Sequence, residues 1–364
     1  MEESKQKDRT LKIQSGVNQP PSINPFLASS ARKKKHEYTV EEYVSGIRSG
    51  NRTILSQAIT LVESSLQKHY TKAQEIVERC LPYTGNSLRI GITGVPGAGK
   101  STFIETFGLH VTSLGRKMAV LAIDPSSEQT GGSILGDKTR MEQLSSHPSA
   151  FIRPSPASGS LGGVARKTRE TIILCEAAGY DTILVETVGV GQSETEVHSM
   201  VDFFLLLMLA GAGDEIQGIK RGIMEMADMI AITKADGQNT LNAEGAKILY
   251  QNALHLFPPP PSGWRPRVVT CSAKKNIGIT ELWDIIIEYS DFARQTGYFE
   301  ILRKQQAIIR MDNTIKEFLQ SSFYNDASIK AARLEVEKQL SEGTITSYKA
   351  AYRLLDKYFK NEGH

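Results

Sequence analysis

The sequence predicts an α/β fold with a mostly parallel central sheet and helical segments at both ends. Two observations support this prediction: short apolar runs alternate with helix-sized segments through the middle of the chain, and amphipathic patterns flank them on both sides. Apolar runs separated in this way are typical of buried parallel strands that crossover helices connect. The expected strands cover residues 88–93, 118–123, 182–185, 203–209, 229–233 and 268–271.

The composition is that of an ordinary globular protein and excludes several classes. The 364 residues are 40% hydrophobic and carry a formal net charge of +3, which rules out a wholly disordered chain and gives no concentrated basic face for nucleic acid. No apolar run reaches the roughly 18 residues that cross a membrane, and the acidic start at Glu2 and Glu3 is unlike a signal peptide. Cys80, Cys175 and Cys271 form no CxxC pair, so we expect buried thiols in a reducing, cytoplasmic location.

Changes in pattern along the chain predict four segments. They are a disordered polar tail over 1–36, a helical extension over 37–85, the α/β domain over 86–295 and a helical arm over 296–364.

Apolar residues at helical spacing mark the two end segments. In the extension, one amphipathic helix is predicted by the spacing of Ile54, Ala58, Leu61, Val62, Leu66 and Tyr70. In the arm, a stripe of Ile301, Ile308, Ile315 and Phe318 fits packing either on its own domain or on a second copy of the chain.

A glycine-rich loop follows the first predicted strand. Residues 94–101 read Gly-Val-Pro-Gly-Ala-Gly-Lys-Ser and match the GxxxxGK[ST] pattern in full, between a strand-like and a helix-like segment. Glycines let successive N–H groups face one anion, and the positive end of the following helix adds to the attraction. Lys100 is expected to reach the β- and γ-phosphates of a nucleoside triphosphate, and the Ser101 hydroxyl is expected to bind Mg²⁺.

Two further loops predict which base is bound. Residues 233–236 read Thr-Lys-Ala-Asp after a predicted strand and resemble the guanine-specificity sequence Asn-Lys-x-Asp of GTPases. Asp236 would accept hydrogen bonds from N1–H and N2–H₂ of guanine, and Lys234 would lie along the ring. Because Thr233 stands in place of asparagine, one neutral hydrogen bond is lost, and the binding free energy of guanine is expected to weaken by about 0.5–1.5 kcal/mol. Residues 271–274, Cys-Ser-Ala-Lys, look like the loop whose N–H contacts the guanine oxygen.

Three carboxylates are candidates for binding the metal and ordering water. Residues 186–189 read Glu-Thr-Val-Gly and resemble the Asp-x-x-Gly element, in which the carboxylate holds a water on Mg²⁺ and the glycine N–H senses the γ-phosphate. Asp124 ends the second predicted strand, and Asp137 lies in the glycine-rich stretch that follows. For Asp124 and Asp137, a helix cap or an exposed turn is the alternative interpretation.

These assignments define the candidate site. The expected nucleotide-binding residues are Gly97, Ala98, Gly99, Lys100, Ser101, Thr102, Gly189, Thr233, Lys234, Asp236, Ser272, Ala273 and Lys274. The expected catalytic groups are Lys100, Asp124, Asp137 and Glu186, and the expected metal ligands are Ser101 and the same three carboxylates.

Taken together, the motifs resemble the MeaB/ArgK family of GTPases associated with methylmalonyl-CoA mutase. The resemblance rests on the segments above, on Asp-Pro-Ser-Ser at 124–127 and on Gly-Ala-Gly-Asp-Glu-Ile-Gln-Gly-Ile-Lys at 211–220, and it runs from about residue 40 to 360. It implies a P-loop NTPase G domain of the SIMIBI class, GTP/GDP and Mg²⁺ as ligands, and a homodimer formed by the C-terminal arm. It also implies a chaperone that couples GTP hydrolysis to loading and protection of an adenosylcobalamin-dependent acyl-CoA mutase, with 211–220 as a switch toward the mutase.

Two other functions fit the same phosphate-binding loop. A nucleotide-dependent kinase linked to amino-acid transport would need an acceptor pocket and a base, and the sequence reveals neither. A metal-insertion GTPase would commonly carry His- or Cys-rich segments, whereas the seven histidines of this chain are dispersed. We expect no nucleic acid and no membrane among the partners.

Overall fold

The computed structural model describes residues 37–64, 66–124, 141–156, 161–187, 193–210 and 221–361. The chain divides into two compact units, Met1–Thr39 and Val40–His364, and every described helix and strand belongs to the second unit. The polar tail predicted over 1–36 lies outside the described residues.

A parallel sheet confirms the predicted fold class. Its strands are β1 (Leu88–Gly94), β2 (Met118–Asp124), β3 (Ala150–Pro156), β4 (Thr182–Thr187), β5 (Phe203–Leu209), β6 (Met229–Thr233) and β7 (Arg267–Thr270). The sheet has seven strands in the order β3-β2-β4-β1-β5-β6-β7, and all neighbouring strands are parallel. Six of these strands lie close to their predicted bounds.

The seventh strand, β3, is absent from the sequence prediction. Arg153, Pro154 and Pro156 interrupt its apolar pattern, and proline is ordinarily a signal against a strand. The strand lies at the edge of the sheet and pairs only with β2, so the missing proline N–H groups leave no second ladder incomplete. Arg153 Nε donates to Glu63 Oε1 at 3.3 Å, which joins this edge to the helical extension.

Helices flank the sheet and form both end segments. They are α1 (Val40–Arg48), α2 (Arg52–Glu63), α3 (Gln67–Cys80), α4 (Lys100–Ser113), α5 (Glu142–Ser146), α6 (Leu161–Ala177), α7 (Ser193–His198), α8 (Arg221–Met226), α9 (Thr240–Leu254), α10 (Ile279–Gln295), α11 (Tyr298–Asn325), α12 (Ala327–Ser341) and α13 (Ser347–Asn361). Within the described ranges, none of the helices combines the length and apolar character needed to span a bilayer.

The single helix predicted from Ile54 to Tyr70 is wrong, because the extension breaks between α2 and α3. The Ser64 hydroxyl accepts a hydrogen bond from Leu66 N at 3.2 Å and lies 2.8 Å from His69 Nδ1. A serine side chain that binds the main chain in this way competes with helical hydrogen bonding. Leu66 and Tyr70 are consequently exposed and do not continue the buried face of α2.

The core occupies both faces of the sheet. On β5, Leu205 and Leu207 belong to one buried cluster, whereas Leu206 and Met208 belong to another. Successive side chains of a strand point to opposite faces, so a strand buried on both sides is apolar throughout. This explains the uninterrupted apolar run that predicted β5 as a central strand. Cys80, Cys175 and Cys271 are free and buried, as expected from their spacing.

Helix α11 packs on the α/β domain with one face and leaves the other exposed. Phe299 and Gln306 are buried, and Gln306 Nε2 donates to Val201 O at 2.7 Å. On the other face, Ile308 and Phe318 are 59% and 70% exposed. The predicted stripe is therefore not covered by the described part of its own chain.

Ion pairs at the amino edge of the sheet hold α11 in place. Arg303 contacts Asp202 through Nε at 2.9 Å and through Nη2 at 2.7 Å, and it donates to two main-chain carbonyls ahead of β1. Arg89 Nε and Nη2 bind Glu176 Oε1 at 2.9 and 2.8 Å. Burial alone would raise the pKa of Glu176, but Arg89, the Ser87 hydroxyl and Arg303 hold that pKa below its ordinary range.

Candidate functional site

The carboxyl ends of neighbouring strands meet at one edge of the sheet, and the candidate residues follow them. Gly94 at the end of β1 is in register with Leu207 of β5, and Leu209 of β5 is in register with Thr233 of β6. On the other side of β1, Glu186 lies near the end of β4. The parallel topology thus places the phosphate-binding loop between the candidate carboxylate and the base-reading loop.

The loop between β1 and α4 presents main-chain donors to one side. Gly97 and Gly99 have φ angles of +80° and +83°, in the left-handed region that glycine adopts readily. The first hydrogen bond into α4 runs from Phe103 N to Gly99 O, so the N–H groups before it lie at the helix start. Within the described part of the chain, no hydrogen bond is made by the main-chain N–H groups of Gly97, Gly99, Lys100, Ser101 and Thr102.

Lys100 lies over this loop in a partly buried position. Its ammonium Nζ donates to Gly94 O at 3.0 Å. Burial lowers the pKa of Lys100, and the carboxylates of Glu186 and Glu194 act in the opposite direction. The lysine is therefore within electrostatic reach of the carboxylate predicted at the end of β4.

Glu194, on the short helix α7, lies near Lys100 but is not among the predicted site residues. Its side chain is 2% exposed, and Oε2 has no hydrogen-bond partner among the described residues. A buried carboxylate beside the loop lysine is a perturbed group of the kind that marks functional sites. The available signal was its place at the end of the family-like stretch 186–194.

Thr233 connects the base-reading loop to the phosphate-binding loop. It is buried, and its hydroxyl oxygen lies 2.8 Å from Ala98 O and 3.1 Å from Met208 O. Both neighbours are main-chain carbonyls, one in the phosphate-binding loop and one in β5, and they share the single hydroxyl proton as acceptors. The observed contacts of Thr233 are thus with two neighbouring backbone segments.

The next two predicted residues follow Thr233 with constrained geometry. Lys234 has a φ of +56°, an uncommon conformation for a residue with a side chain, and the Asn239 side chain donates to its carbonyl at 2.8 Å. Its Cε lies 3.9 Å from the position that a Cβ on Gly99 would occupy. Lys234 therefore extends along the phosphate-binding loop. Asp236 Oδ2 accepts a short hydrogen bond from the Ser272 hydroxyl.

The loop after β7 joins the same cluster. Ser272 Oγ accepts from Lys275 N at 3.2 Å, and Thr106 of α4 donates to Ala273 O at 3.1 Å. The N–H groups of Ala273 and Lys274 make no hydrogen bond to any other described residue. The structure thus brings the two predicted base-contacting loops together, and Thr106 is an additional residue that supports them.

Part of the predicted site lies outside the described residues. This applies to Asp137 and Gly189, to the side chain of Asp124 and to the predicted switch at 211–220. The backbone of Asp124 is described and ends β2 at the same edge of the sheet as the other candidates.

The fold and the phosphate-binding loop define a P-loop nucleoside triphosphatase. Residues 55–328 match the family model described as methylmalonyl-CoA mutase-associated GTPase MeaB. The chain therefore belongs to the MeaB family and is a GTPase.

Relatives and a solved structure agree with this membership. The chain is 49% identical to the GTPase ArgK of Escherichia coli K12, over 80% of this chain and 88% of the relative. It is 44% identical to the mitochondrial methylmalonic aciduria type A homolog of Mus musculus, over 90% of this chain and 81% of the relative. A crystal structure named LAO/AO transport system kinase superimposes with a TM-score of 0.72 at 38% identity, covering 89% of this chain and 99% of that one.

Proposed function

We propose that this GTPase is a chaperone of an adenosylcobalamin-dependent acyl-CoA mutase, with methylmalonyl-CoA mutase as the first candidate. Its nucleotide state would control when cofactor is loaded and when the loaded mutase is protected. The observation that carries the proposal is the family match over residues 55–328, whose description names association with that mutase. The relatives named for methylmalonic aciduria support the same partner.

The triphosphate is proposed to lie against the loop between β1 and α4. The N–H groups of Gly97, Gly99, Lys100, Ser101 and Thr102, which have no partner among the described residues, would bind phosphate oxygens, and the positive end of α4 would add to the attraction. Lys100 would exchange its contact with Gly94 O for the β- and γ-phosphates. Gly189 N–H would sense the γ-phosphate, which connects the loop after β4 to the state of the nucleotide.

Mg²⁺ is proposed to be held by Ser101, Asp124, Asp137 and Glu186. The groups that the structure describes fit this ion, because hydroxyl and carboxylate oxygens are its usual ligands and the buried Glu194 oxygen adds negative charge nearby. When bound, the ion neutralises charge on the phosphates. Lys100 supplies charge on the same side, and one of the carboxylates orders the attacking water.

Guanine is proposed to bind between the loops after β6 and β7. The Asp236 carboxylate would accept from N1–H and N2–H₂ of the base, with the Ser272 hydroxyl orienting it. Lys234 would cover one face of the ring, and the N–H groups of Ala273 and Lys274 would reach the guanine oxygen. The Thr233 hydroxyl would not contact the base; through its hydrogen bond to Ala98 O it would hold the base-reading loop against the phosphate-binding loop.

The link to the mutase is proposed to run through residues 211–220, which follow β5. A loop after a central strand is well placed to report the γ-phosphate to a partner surface. Such a switch works only if its two states differ in affinity for the mutase. The GTP-bound and GDP-bound forms should therefore bind the mutase with different affinities.

Purified protein and purified methylmalonyl-CoA mutase test this proposal directly. We expect the mutase to raise the rate of GTP hydrolysis, and we expect co-elution to differ between a non-hydrolysable GTP analogue and GDP. Lys100→Ala serves as the control that removes hydrolysis. The chaperone role would be contradicted if no adenosylcobalamin-dependent mutase tested changed either the hydrolysis rate or the elution profile.

A homodimer through the C-terminal arm is part of the same proposal. The exposed residues Ile308, Ile315 and Phe318 form an apolar face that a second copy would cover. Light scattering of the wild type should give about twice the chain mass of 40.1 kDa. The double variant Ile315→Lys with Phe318→Lys should give the mass of a monomer. A monomeric wild-type protein would contradict this assignment. The three free, buried cysteines support a cytoplasmic location.

A kinase linked to amino-acid transport is the second candidate, because a structural neighbour carries that name. The two functions differ in where the γ-phosphate goes. A hydrolase releases labelled phosphate to water and prefers GTP over ATP, whereas a kinase transfers the label to an acceptor. Label found on an amino acid or a protein would favour the kinase.

A further inference from the structure

A small cavity lies where α11 packs on α6, at the amino edge of the sheet. Its volume is about 40 Å³, enough for roughly three water molecules at 10–15 Å³ each. Four guanidinium groups line it, from Arg89, Arg169, Arg303 and Arg310. No carboxylate of the described residues is among its lining side chains.

Two of the four arginines are engaged by carboxylates outside the cavity. Arg89 binds Glu176 with Nε and Nη2, and Arg303 binds Asp202 with Nε and Nη2. These two side chains are 17% and 15% exposed, so their ion pairs are largely shielded from water. Arg169 has a longer ion pair with Glu196, at 3.6 Å, and Arg310 has no ion pair among the described residues.

Arg169 and Arg310 have donors without partners. The Arg169 side chain is 8% exposed; Nη2 donates to Ser199 Oγ at 2.6 Å and lies 3.6 Å from Glu196 Oε2. Its Nε is buried and has no partner among the described residues. The half-buried guanidinium of Arg310 makes no hydrogen bond and no ion pair within the described part of the chain.

Arg169 and Arg310 are partly withdrawn from water and lie close to other arginines. Burial lowers the pKa of Arg310, and the nearby Arg89 lowers it further. Burial likewise lowers the pKa of Arg169, and Arg310 contributes to that shift. Glu196 and Glu317 act in the opposite direction on Arg169, and Glu170 does so on Arg310, but both arginine pKa values stay below their ordinary range. Enclosed cations with unused donors are costly unless an anion completes them.

We propose that this cavity binds inorganic phosphate between Arg169 and Arg310. The planar donor fork of arginine suits a tetrahedral oxyanion, and charge-assisted hydrogen bonds of this kind are strong. The small volume favours the free anion over a phosphate ester with a bulky organic part. GTP hydrolysis itself releases phosphate, so the ligand is present wherever the protein acts. The inference does not depend on which mutase is the partner.

Bound phosphate would connect two parts of the molecule. Arg169 lies on α6 of the α/β domain, and Arg310 lies on α11, the first helix of the arm. An anion shared between them would add a contact to the ion pairs that already hold α11. Phosphate would thus stabilise the docked position of the arm at the edge of the sheet opposite the nucleotide.

Calorimetric titration of inorganic phosphate into the full chain tests the proposal. The protein is first saturated with a non-hydrolysable GTP analogue and Mg²⁺, so that the phosphate-binding loop is filled. We expect one phosphate per chain and about 10-fold weaker binding in Arg310→Gln, the effect of losing a charge-assisted contact. Lys304→Gln is the matched control: it removes one charge from the same helix at an exposed position outside the cavity, and its affinity should equal that of the wild type.

Two further measurements test whether the phosphate binds in this cavity and whether the variant protein is folded. Lys100→Ala, titrated without nucleotide, should retain the phosphate site, which separates it from the GTP site. Circular dichroism and nucleotide binding should show that Arg310→Gln is folded. The proposal is overturned if the wild type binds no phosphate, if Arg310→Gln binds it equally well, or if glycerol phosphate binds as tightly as the free anion.

Discussion

The two edges of the sheet differ in how their polar groups are paired. At the carboxyl edge, several main-chain donors of the phosphate-binding loop and the Oε2 atom of Glu194 are unpaired within the described part of the chain. At the amino edge, Arg303, Asp202 and Glu176 are paired through multiple hydrogen bonds at 2.7–2.9 Å. The same sheet therefore supports one edge with free donors and one edge with paired charges.

The difference in pairing between the two edges indicates where a ligand would bind. A buried polar group without a partner costs roughly 1–3 kcal/mol, so such groups persist where a ligand completes them. Paired charges need no ligand and serve to hold elements together. The unpaired groups of the carboxyl edge support the proposed GTP site there, whereas the paired charges of the amino edge hold α11 on the α/β domain. The cavity beside Arg310 is the part of the amino edge that resembles the carboxyl edge.

The largest expected effect is on stability at the amino edge. Arg303→Gln leaves the Asp202 carboxylate, 1% exposed, without its ion pair, and removing one partner of a buried pair costs about 3–5 kcal/mol. Thermal unfolding should show a large fall in Tm, while GTP affinity of the folded protein stays close to wild type. Lys304→Gln, exposed on the same helix, should leave Tm nearly unchanged. A Tm equal to wild type in Arg303→Gln would remove the distinction between the edges.

The next effect is on hydrolysis at the carboxyl edge. Lys100→Ala removes the ammonium group of the phosphate-binding loop, and loss of one such stabilising donor typically lowers kcat by about 10²–10³-fold. Single-turnover phosphate release should measure this loss, with Tm little changed. Lys117→Ala, an exposed lysine ahead of β2, is the control and should hydrolyse GTP normally. Unchanged hydrolysis in Lys100→Ala would contradict the site assignment.

A smaller effect is expected on base selection. Asp236→Asn replaces the acceptor for guanine N1–H with an amide, and loss of a charged hydrogen bond costs about 1.5–3 kcal/mol. Competition with a fluorescent nucleotide should show weaker GTP binding and a shift toward xanthosine triphosphate. Ser272→Ala, which removes only the hydroxyl contact to Asp236, should weaken both nucleotides alike. Retained guanine selectivity in Asp236→Asn would show that the base pocket lies elsewhere.

The smallest effect concerns the connection between the two loops. Thr233→Val removes the hydroxyl bonded to Ala98 O and should cost about 0.5–1.5 kcal/mol. Because this contact positions both loops, GDP and xanthosine diphosphate affinities should fall by the same factor. Thr233→Ser should restore them. A loss confined to guanine nucleotides would mean that Thr233 contacts the base.

Most of the fold and the centre of the site follow from local sequence patterns. The phosphate-binding loop is a continuous motif between a strand and a helix, and six strands are short apolar runs. Strand β3 was not predicted because prolines are tolerated only in an edge strand. Whether a strand lies at the edge depends on the order of all the strands in the sheet, which the local sequence does not show. The break after α2 depends on one serine hydroxyl that binds the local main chain.

Charges that pair across the fold carry no such local pattern. Arg303 and Asp202 are 101 residues apart in the chain, and neither stands in a recognisable motif. Glu194 was visible only as one acid in a family-like stretch, and its burial beside Lys100 appears once β1 and β4 are adjacent. Arg169 and Arg310 likewise come together only when α11 docks on α6.

By itself, the sequence determined the α/β class and the P-loop motif, and it predicted the two base-contacting loops, because each depends on residues that are neighbours along the chain. Only the tertiary structure decided that Thr233 braces one loop against another, that α11 is docked by ion pairs, and that two arginines share a cavity. Those contacts join segments far apart in sequence, and their free energies arise from burial and charge that exist only after the chain has folded.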